Sequence, residues 1–343
     1  MRTRDSVVVI TGASSGIGRA TALRFARKKA HVVLAARRSE ALESLAGECR
    51  KLGAKAVAVP TNVLDTASMD RLAARAIEAF GRIDVWINNA AVAVFGAFLD
   101  VPLSDYQRVL DVNVMGYVRG ARAVLPHFRA KGSGVLINVS SVEAVIAQPY
   151  GTAYAISKAA ERALGVSLRS ELLLEGRKGI HVCTVLPAAI DTPIYQQAAN
   201  YTGYKVRPIP PVYSPQRVAR TIVKLSEKPR REAAVGPTGR LLLLKHKAVP
   251  GAIEAGTARV VNKTHLSRRR AAAASSGNLY RSSTAKRTAR VEGGWHGRSR
   301  TARRRLFALA LLAGAGRVLL KRQPGARNPG RSGESVKLHA GLK

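Results

Sequence analysis

Residues 7–18 read Val7-Val-Val-Ile-Thr-Gly-Ala-Ser-Ser-Gly-Ile-Gly18. The first four residues are a continuous apolar run typical of a buried strand, and the segment 18–29 then places Ala22 and Phe25 at helical spacing. The glycines between them predict a tight turn in which backbone N–H groups and a helix N-terminus meet. This strand, turn and helix form a place where a phosphate group can bind.

The same alternation continues along the chain. Further strands are predicted at 31–36, 56–60, 84–87, 134–139 and 180–186, with helices at 39–52, 66–80, 106–130 and 152–175. Apolar strands that alternate with long helices predict an α/β fold with a doubly wound parallel sheet of the Rossmann type. Ligands of such sheets bind at the carboxyl ends of the strands.

One of the predicted helices carries Tyr154-Ala-Ile-Ser-Lys158, with Ser141 thirteen residues upstream and Asn113 further back. A phenol has a pKa near ~10 and is a poor acid or base at neutral pH. A lysine at i+4 lies one helical turn away, and its charge is expected to lower the pKa of Tyr154. These side chains predict an enzyme that transfers a proton.

Together, Thr11–Gly18, Asn88-Asn-Ala-Ala91 and Tyr154–Lys158 resemble the short-chain dehydrogenase/reductase family, over about residues 6–235. The resemblance implies that Tyr154 is the general acid/base and that Lys158 lowers its pKa and binds the nicotinamide ribose. It further implies that Ser141 holds the substrate oxygen and that Asn113 binds a water that links Lys158 to solvent.

The resemblance also implies a set of cofactor contacts: Gly12, Ser14, Ser15, Gly16, Ile17, Gly18, Arg37, Arg38, Asn62, Val63, Asn89, Ala90, Tyr154, Lys158, Pro187, Ile190 and Thr192. Two arginines follow the second strand, where an NAD-selective protein would place an acidic residue for the ribose hydroxyls. Guanidinium groups suit a 2′-phosphate, so NADP(H) is predicted over NAD(H), with Arg37 as the main contact.

The chain departs from the family pattern at three cofactor positions. Asn62 replaces an aspartate, and Ala91 and Ala188 replace glycines. The amide oxygen of Asn62 can still accept a hydrogen bond from adenine. The methyl group of Ala91 could crowd the backbone near the cofactor, and Ala188 is tolerable unless it needs a positive φ. We expect cofactor binding to survive all three changes.

A proline-rich segment at 188–214 is predicted to be a lid over the substrate, followed by a helix at 216–226 and two helices at 241–253 and 256–266. The expected pocket residues are mostly apolar: Ala93, Val94, Phe95, Glu143, Val145, Gln148, Ile194, Tyr195 and Tyr201. Such a lining favours a small hydrophobic alcohol, ketone or aldehyde as substrate.

The composition changes near residue 266, which predicts a catalytic domain at 1–266 and a basic extension at 267–343. The net charge of the chain is +36, and the extension contains 19 Lys and Arg against two acidic residues. We expect it to be largely disordered, with a short apolar helix at 306–320. Its charge would suit phosphate groups, which leaves peripheral membrane contact open, but no specific nucleic acid is expected.

Other residues point to fewer functions. Cys49 and Cys183 are expected to be packing residues, and His31, His127 and His181 lack the spacing of a metal site. The apolar run at 7–10 is too short for a signal peptide, so a cytoplasmic protein is expected. The resemblance implies a homodimer or homotetramer that pairs through the helices at 106–130 and 152–175.

The leading hypothesis is an NADP(H)-dependent oxidoreductase that interconverts a hydrophobic alcohol and its ketone or aldehyde. The competing hypothesis is a non-catalytic dinucleotide-binding protein that uses its basic tail on a membrane or nucleic acid. A ketoreductase acting on an acyl carrier ranks third, since a positive surface suits an acidic partner.

Overall fold

The central sheet of the computed structural model has seven parallel strands, and residues 2–282 and 289–295 are described. The strands are β1 Val7–Thr11, β2 His31–Ala36, β3 Ala56–Pro60, β4 Val85–Asn88, β5 Val94–Phe95, β6 Gly134–Val139, β7 Ile180–Pro187, β8 Ala199–Asn200, β9 Tyr204–Val206, β10 Glu232–Val235 and β11 Leu266–Ala271. The helices are α1 Gly16–Arg27, α2 Ser39–Lys51, α3 Thr66–Phe80, α4 Leu103–Leu110, α5 Gly116–Lys131, α6 Thr152–Leu174, α7 Ile194–Gln197, α8 Pro215–Glu227, α9 Pro237–Ala248 and α10 Pro250–Thr264.

The strand order of the central sheet is β3-β2-β1-β4-β6-β7-β10. Every neighbouring pair is parallel, and the order reverses direction between β1 and β4. This is the doubly wound α/β sheet that the sequence predicts, and the fold class is confirmed. The loops after β1, β4, β6 and β7 therefore meet at one edge.

The strands bury side chains on both faces, which explains their continuous apolar sequences. In β1, Val8 and Ile10 pack with residues of α1, α2 and α8, whereas Val7 and Val9 pack with residues of α3, α5 and α6. The sheet is thus covered by helices on both sides, and its carboxyl edge is left for ligands.

Two helical regions differ from the sequence-based expectation. The single helix expected at 106–130 is α4 and α5, joined by a π-helical turn at Asp111–Met115 that contains Asn113. The helices expected at 241–253 and 256–266 are α9 and α10. The boundary between these two helices lies earlier than expected because of Pro250. Proline ends the helix before it and suits the first turn of the next helix.

The expected lid at 188–214 contains α7, β8 and β9, and its strands join other parts of the chain. β8 pairs with β5, and β9 pairs with β11. The domain boundary expected between residues 266 and 267 falls within β11. The basic run at 298–305 and the apolar helix expected at 306–320 lie outside the described residues.

Within 2–282 and 289–295, no helix has the length and apolar character needed to cross a lipid bilayer. The same residues hold no group of three or more His, Cys, Asp or Glu placed to bind a metal ion.

Candidate active site

The glycine-rich turn between β1 and α1 is folded tightly against the end of β4. Gly12 has a φ of +66°, and a Cβ there would lie 2.7 Å from Ala90 Cα. A Cβ on Gly18 would overlap the Gly12 carbonyl oxygen. Both positions therefore require glycine for backbone conformation or for close approach.

Asn89 and Thr11 lock this turn. The Asn89 side-chain amide donates to the Thr11 and Gly12 carbonyl oxygens at 2.9 and 3.2 Å. The Thr11 hydroxyl accepts the backbone N–H groups of Asn89 and Ala90 at 3.0 and 3.2 Å. The N-terminus of α1 is thus presented at the sheet edge with the geometry that a dinucleotide pyrophosphate needs, so the residues present fit such a cofactor.

The two arginines after β2 lie on the same edge but make different contacts. The Arg38 guanidinium donates to Ser14 Oγ at 3.2 Å, within the glycine-rich turn. The Arg37 guanidinium donates to the backbone oxygens of Asn278 at 2.9 Å and Tyr280 at 3.4 Å. Arg37 thus lies against the C-terminal extension, a contact that the sequence did not reveal.

None of the three residues that depart from the family pattern has a positive φ. Among the described residues other than glycine, only Asp5, Lys29 and Tyr150 have a positive φ, so Ala91 and Ala188 adopt ordinary backbone conformations. The Asn62 side-chain oxygen accepts the Leu64 N–H at 3.2 Å, and an amide oxygen can accept a second hydrogen bond.

Ser141, Tyr154 and Lys158 come together at the carboxyl edge of β6. Ser141 Oγ accepts the Glu143 N–H at 3.1 Å. Its hydroxyl donates to the Pro187 carbonyl oxygen at 3.5 Å. Lys158 Nζ lies 5.2 Å from the centre of the Tyr154 ring, and Ser141, Tyr154 and Lys158 line the same cavity. Ser140, the neighbouring serine, instead donates to the Lys158 carbonyl oxygen at 2.7 Å and anchors α6.

The electrostatics of Tyr154 differ from the expectation of a lowered pKa. Burial raises the pKa of Tyr154 well above its ordinary value, and the Glu143 and Glu161 carboxylates and Tyr195 add to that rise. The hydrogen bond with Ser141 opposes it. The expectation from helical spacing considered only Lys158, and it left out burial and the acidic groups nearby.

Lys158 makes an ion pair that we did not predict. Its ammonium contacts both carboxylate oxygens of Glu161, at 2.8 and 3.0 Å, and donates to the Val139 carbonyl oxygen at 3.1 Å. Both side chains are almost fully buried. The i, i+3 spacing on α6 was a signal that could have revealed the pair.

Asn113 lies in the π-helical turn and is fully buried. Its amide nitrogen donates to the Val92 carbonyl oxygen at 3.0 Å and to Ser157 Oγ at 2.9 Å. Its side-chain oxygen accepts the Val92 N–H at 2.9 Å. The side chain therefore connects the loop after β4 to the helix that carries Tyr154.

A cavity of about 480 Å³ extends from the glycine-rich turn past Tyr154. Of the expected pocket residues, Ala93, Phe95, Glu143, Gln148, Ile194 and Tyr195 line it. Val94, Val145 and Tyr201 are not part of its wall among the described residues, and the Tyr201 hydroxyl donates to Asp105 at 2.6 Å. Side chains of α9 and α10 that we did not predict complete the lining, including Leu242, Ile253 and Val260.

Glu143 is the acidic group of this cavity. Burial raises the pKa of its carboxyl to about 8, although a hydrogen bond with Gln148 and the charge of Lys158 oppose the rise. Its Oε2 is buried and has no hydrogen-bond partner among the described residues. The cavity is thus mostly apolar but contains one strong hydrogen-bonding group near Ser141.

Residues 289–295 of the extension lie on the cofactor edge. The Gly16 N–H donates to the Arg290 carbonyl oxygen at 2.9 Å. Asp191 Oδ1 accepts the N–H groups of Gly293 and Trp295, both at 2.9 Å. Ile190 and Thr192, which were predicted to contact cofactor, also line the cavity.

Comparison with known proteins identifies the family. The sequence model described as "short chain dehydrogenase" matches residues 6–202. The uncharacterized oxidoreductase YxnA of Bacillus subtilis is 38% identical over 245 residues, which cover 70% of this chain and 68% of that protein. The uncharacterized oxidoreductase Lmo0432 of Listeria monocytogenes is 34% identical over 254 residues, covering 70% and 99%.

Solved structures agree. A short-chain dehydrogenase/reductase from Burkholderia phymatum, in complex with NAD, is 26% identical with a TM-score of 0.65 and covers 74% of this chain and 96% of that one. An alcohol dehydrogenase from Thermococcus sibiricus, complexed with 5-hydroxy-NADP, is 26% identical with a TM-score of 0.58, covering 67% and 94%. The resemblance seen in the sequence is confirmed, and the chain belongs to the short-chain dehydrogenase family of oxidoreductases.

Proposed function

We propose that this protein is an NADP(H)-dependent dehydrogenase that interconverts a hydrophobic alcohol and its ketone or aldehyde. The observation that carries the proposal is the meeting of Ser141, Tyr154 and Lys158 beside the glycine-rich turn, at one end of a largely apolar cavity. A non-catalytic dinucleotide-binding protein would not need a tyrosine and a lysine in that arrangement.

The chain's own groups supply the proton transfer. Ser141 Oγ holds the substrate oxygen by a hydrogen bond. The Tyr154 hydroxyl gives its proton to a carbonyl oxygen during reduction, or accepts the proton of an alcohol during oxidation. The Lys158 ammonium stabilises the phenolate form. A bound nicotinamide would supply or accept the hydride.

The residues that would hold the cofactor lie along the same edge. Backbone N–H groups of Gly12 to Gly18 would bind the pyrophosphate, and Asn62 and Val63 would hold the adenine. Asn89 and Ala90 would contact the cofactor between its adenine and nicotinamide ends. Pro187, Ile190 and Thr192 would contact the nicotinamide. The solved relatives bind NAD or an NADP derivative, which supports a nicotinamide cofactor here.

The preference for NADP(H) rests on Arg37 and Arg38. Arg38 contacts Ser14 in the turn, and Arg37 lies beside it at the end of β2. A charged hydrogen bond to a 2′-phosphate contributes about 1.5–3 kcal/mol, or roughly a tenfold to hundredfold difference in affinity. We expect Arg37→Ala and Arg38→Ala each to weaken NADPH binding by about that factor and to leave NADH binding within about twofold.

The test of this preference is the dissociation constant of each nucleotide, measured by quenching of intrinsic fluorescence. Arg71→Ala is the matched control, because it removes an equal charge from an exposed site on α3. Equal losses for NADPH and NADH in the two arginine variants would contradict the assignment.

The turnover test is a panel of hydrophobic alcohols, ketones and aldehydes with each nucleotide. We include hydroxyketones, because the free carboxyl oxygen of Glu143 is a partner for a substrate hydroxyl. Binding of NADPH without turnover of any substrate would favour the non-catalytic alternative. Turnover of acyl-thioester ketones alone would favour a carrier-linked ketoreductase.

An oligomer is also part of this proposal. Large apolar side chains are exposed within 106–130 and 152–175, the segments implied in subunit pairing by the family resemblance: Met115, Ile156, Val166, Leu173 and Leu174. Apolar surface of this kind is typical of an interface between copies. Light scattering after gel filtration is expected to give a dimer or tetramer, and a monomer would contradict it.

We propose that the chain consists of a catalytic domain at 1–266 and a basic extension at 267–343. The first residues of the extension pack on the domain.

A further inference from the structure

The buried ion pair between Lys158 and Glu161 is not explained by the proton transfer described above. Lys158 is 1% exposed and Glu161 is 0% exposed, on successive turns of α6. Removing two charges from water costs several kcal/mol per ion, and the attraction between them often fails to repay that cost. Fold stability alone is thus a weak reason for this pair to occupy the helix that carries Tyr154.

The hydrogen bonds of Lys158 are fully used within the protein. An ammonium has three N–H donors, and Nζ has three acceptors: Glu161 Oε1 at 2.8 Å, Glu161 Oε2 at 3.0 Å and the Val139 carbonyl oxygen at 3.1 Å. Val139 also accepts the Tyr117 hydroxyl at 2.9 Å. Lys158 must therefore give up one of these acceptors before it can bond to a ribose.

The charge of Glu161 also acts on Tyr154. It raises the pKa of Tyr154, in addition to the larger effects of burial and Glu143. The ionisable groups around Tyr154 are Lys158 and Glu161 on α6, Glu143 in the 3-10 turn at Val142–Ala144, Tyr195 on α7 and Tyr117 on α5. Lys158 is the positive group of this set, and Glu161 is the acid in direct contact with it. Burial raises the pKa of Glu161 to about 8, although Lys158 opposes the rise, so Glu161 is ionised in the alkaline range where Tyr154 titrates.

We propose that Glu161 is a positioning residue, which holds the Lys158 ammonium against Val139 and limits how much of its positive charge acts on Tyr154. The inference rests on the proposed roles of Tyr154 and Lys158 in proton transfer. The acidity of Tyr154 then depends on Glu161, a residue that lies outside the Tyr-x-x-x-Lys motif of the family.

The direct test is the ionisation of the Tyr154 phenol, followed by its ultraviolet absorbance. The spectrum of a Tyr154→Phe partner is subtracted at each pH, so that the other tyrosines cancel. We expect Glu161→Gln to lower the ionisation midpoint of Tyr154 by about one pH unit or more, because it removes a negative charge and frees Lys158. If Tyr154 ionises below the pH of alkaline unfolding in Glu161→Gln but not in the parent protein, its midpoint has also been lowered.

Glu232→Gln is the matched control, since it removes a carboxylate that pairs with Arg162 of the same helix. It is expected to leave the Tyr154 midpoint unchanged. An unchanged or higher midpoint in Glu161→Gln would overturn the proposal, and a lower melting temperature with an unchanged midpoint would show a purely structural pair. If Glu161→Gln does not fold, Glu161→Met gives the same test without a buried amide.

A second readout is the pH dependence of kcat/KM for alcohol oxidation. Oxidation needs ionised Tyr154, so the rise of the rate with pH is expected to move to lower pH in Glu161→Gln by a similar amount. The absorbance titration needs no turnover. Absence of turnover in the parent protein would therefore contradict the proposed function, while the titration still decides the role of Glu161.

Discussion

The buried carboxyl of Glu143 makes the stability of the folded protein depend on pH. Burial raises the pKa of this carboxyl to about 8, above its value in an unfolded chain. The folded protein therefore holds this proton more tightly. The associated stability is complete below the unfolded pKa and is lost as the pH rises through about 8.

Glu143→Gln tests this, because an amide has no charge to bury. We expect the melting temperature of the variant, relative to the parent, to rise between about pH 5 and about pH 9. Groups that do not interact with Glu143 titrate equally in both proteins, so their contributions to the difference cancel. Thermal unfolding at several pH values measures the difference, and a difference that does not change with pH would contradict the burial of this carboxyl.

The identities of the site residues were predictable from the sequence, but the groups packed around them were not. The pair Tyr154 and Lys158 follows from helical spacing, and Ser141 follows from the family resemblance; the structure places all three on one cavity. The raised pKa of Tyr154 and the free oxygen of Glu143 depend on burial. Burial is set by contacts between distant elements, which the spacing of residues does not report.

Side chains of α9 and α10 line part of the cavity beside Tyr154. Leu242 on α9 lines it, whereas Leu244, two residues later, is 66% exposed. Truncation of a partly buried leucine removes roughly 1 kcal/mol of apolar contact with a hydrophobic substrate, or about a fivefold change in affinity.

We therefore expect Leu242→Ala to raise KM for a bulky hydrophobic alcohol by about fivefold and to leave kcat within about twofold. Leu244→Ala is the control on the same helix and is expected to change neither constant. Steady-state kinetics with both variants measures this. Equal effects of the two substitutions would exclude α9 from the substrate site.

The elements differ from the sequence-based expectation where the signals were weak. The sequence predicted one helix at 106–130 because a π-helical turn continues the helical backbone without a break. Six of the seven strands of the central sheet were predicted, because they have continuous apolar sequences. The edge strand β10 was not predicted, since it begins with an acidic residue and is only partly buried. The cavity lining by α9 and α10 depends on how these helices pack, which composition does not specify.

For the whole molecule, the new feature is the extension over the cofactor edge. The Arg290 carbonyl oxygen accepts the Gly16 N–H, so residues 289–295 compete with a phosphate for this turn. A Cβ on Gly293 would overlap the Thr192 carbonyl oxygen. Gly293→Val would thus displace the segment without changing the charge of the protein.

We expect Gly293→Val to bind NADPH several-fold more tightly, because one competing hydrogen bond of about 1 kcal/mol is lost. Gly47→Ala is the control, since a Cβ there meets nothing within 4 Å. Titration calorimetry gives both dissociation constants. Unchanged or weaker binding in Gly293→Val would show that the segment does not compete with cofactor.

The domain division illustrates what composition can predict. The rise in Arg, Ser and Gly near residue 266 indicates a change in the chain, but β11 crosses that position and pairs with β9 of the lid. Leu279, within the extension, is fully buried against the domain. Average composition over 77 residues could not reveal one buried leucine or one strand pairing.

The central claim is that Tyr154 transfers the proton in a nicotinamide-dependent reaction. The most direct test is turnover by Tyr154→Phe. Tyr150→Phe is the control, since the Tyr150 hydroxyl contacts Asn262 rather than Ser141, Tyr154 or Lys158. We expect Tyr154→Phe to lose about 10²–10⁴-fold in kcat while its NADPH dissociation constant stays within about twofold. A Tyr154→Phe variant that keeps the full kcat of the parent would contradict the account.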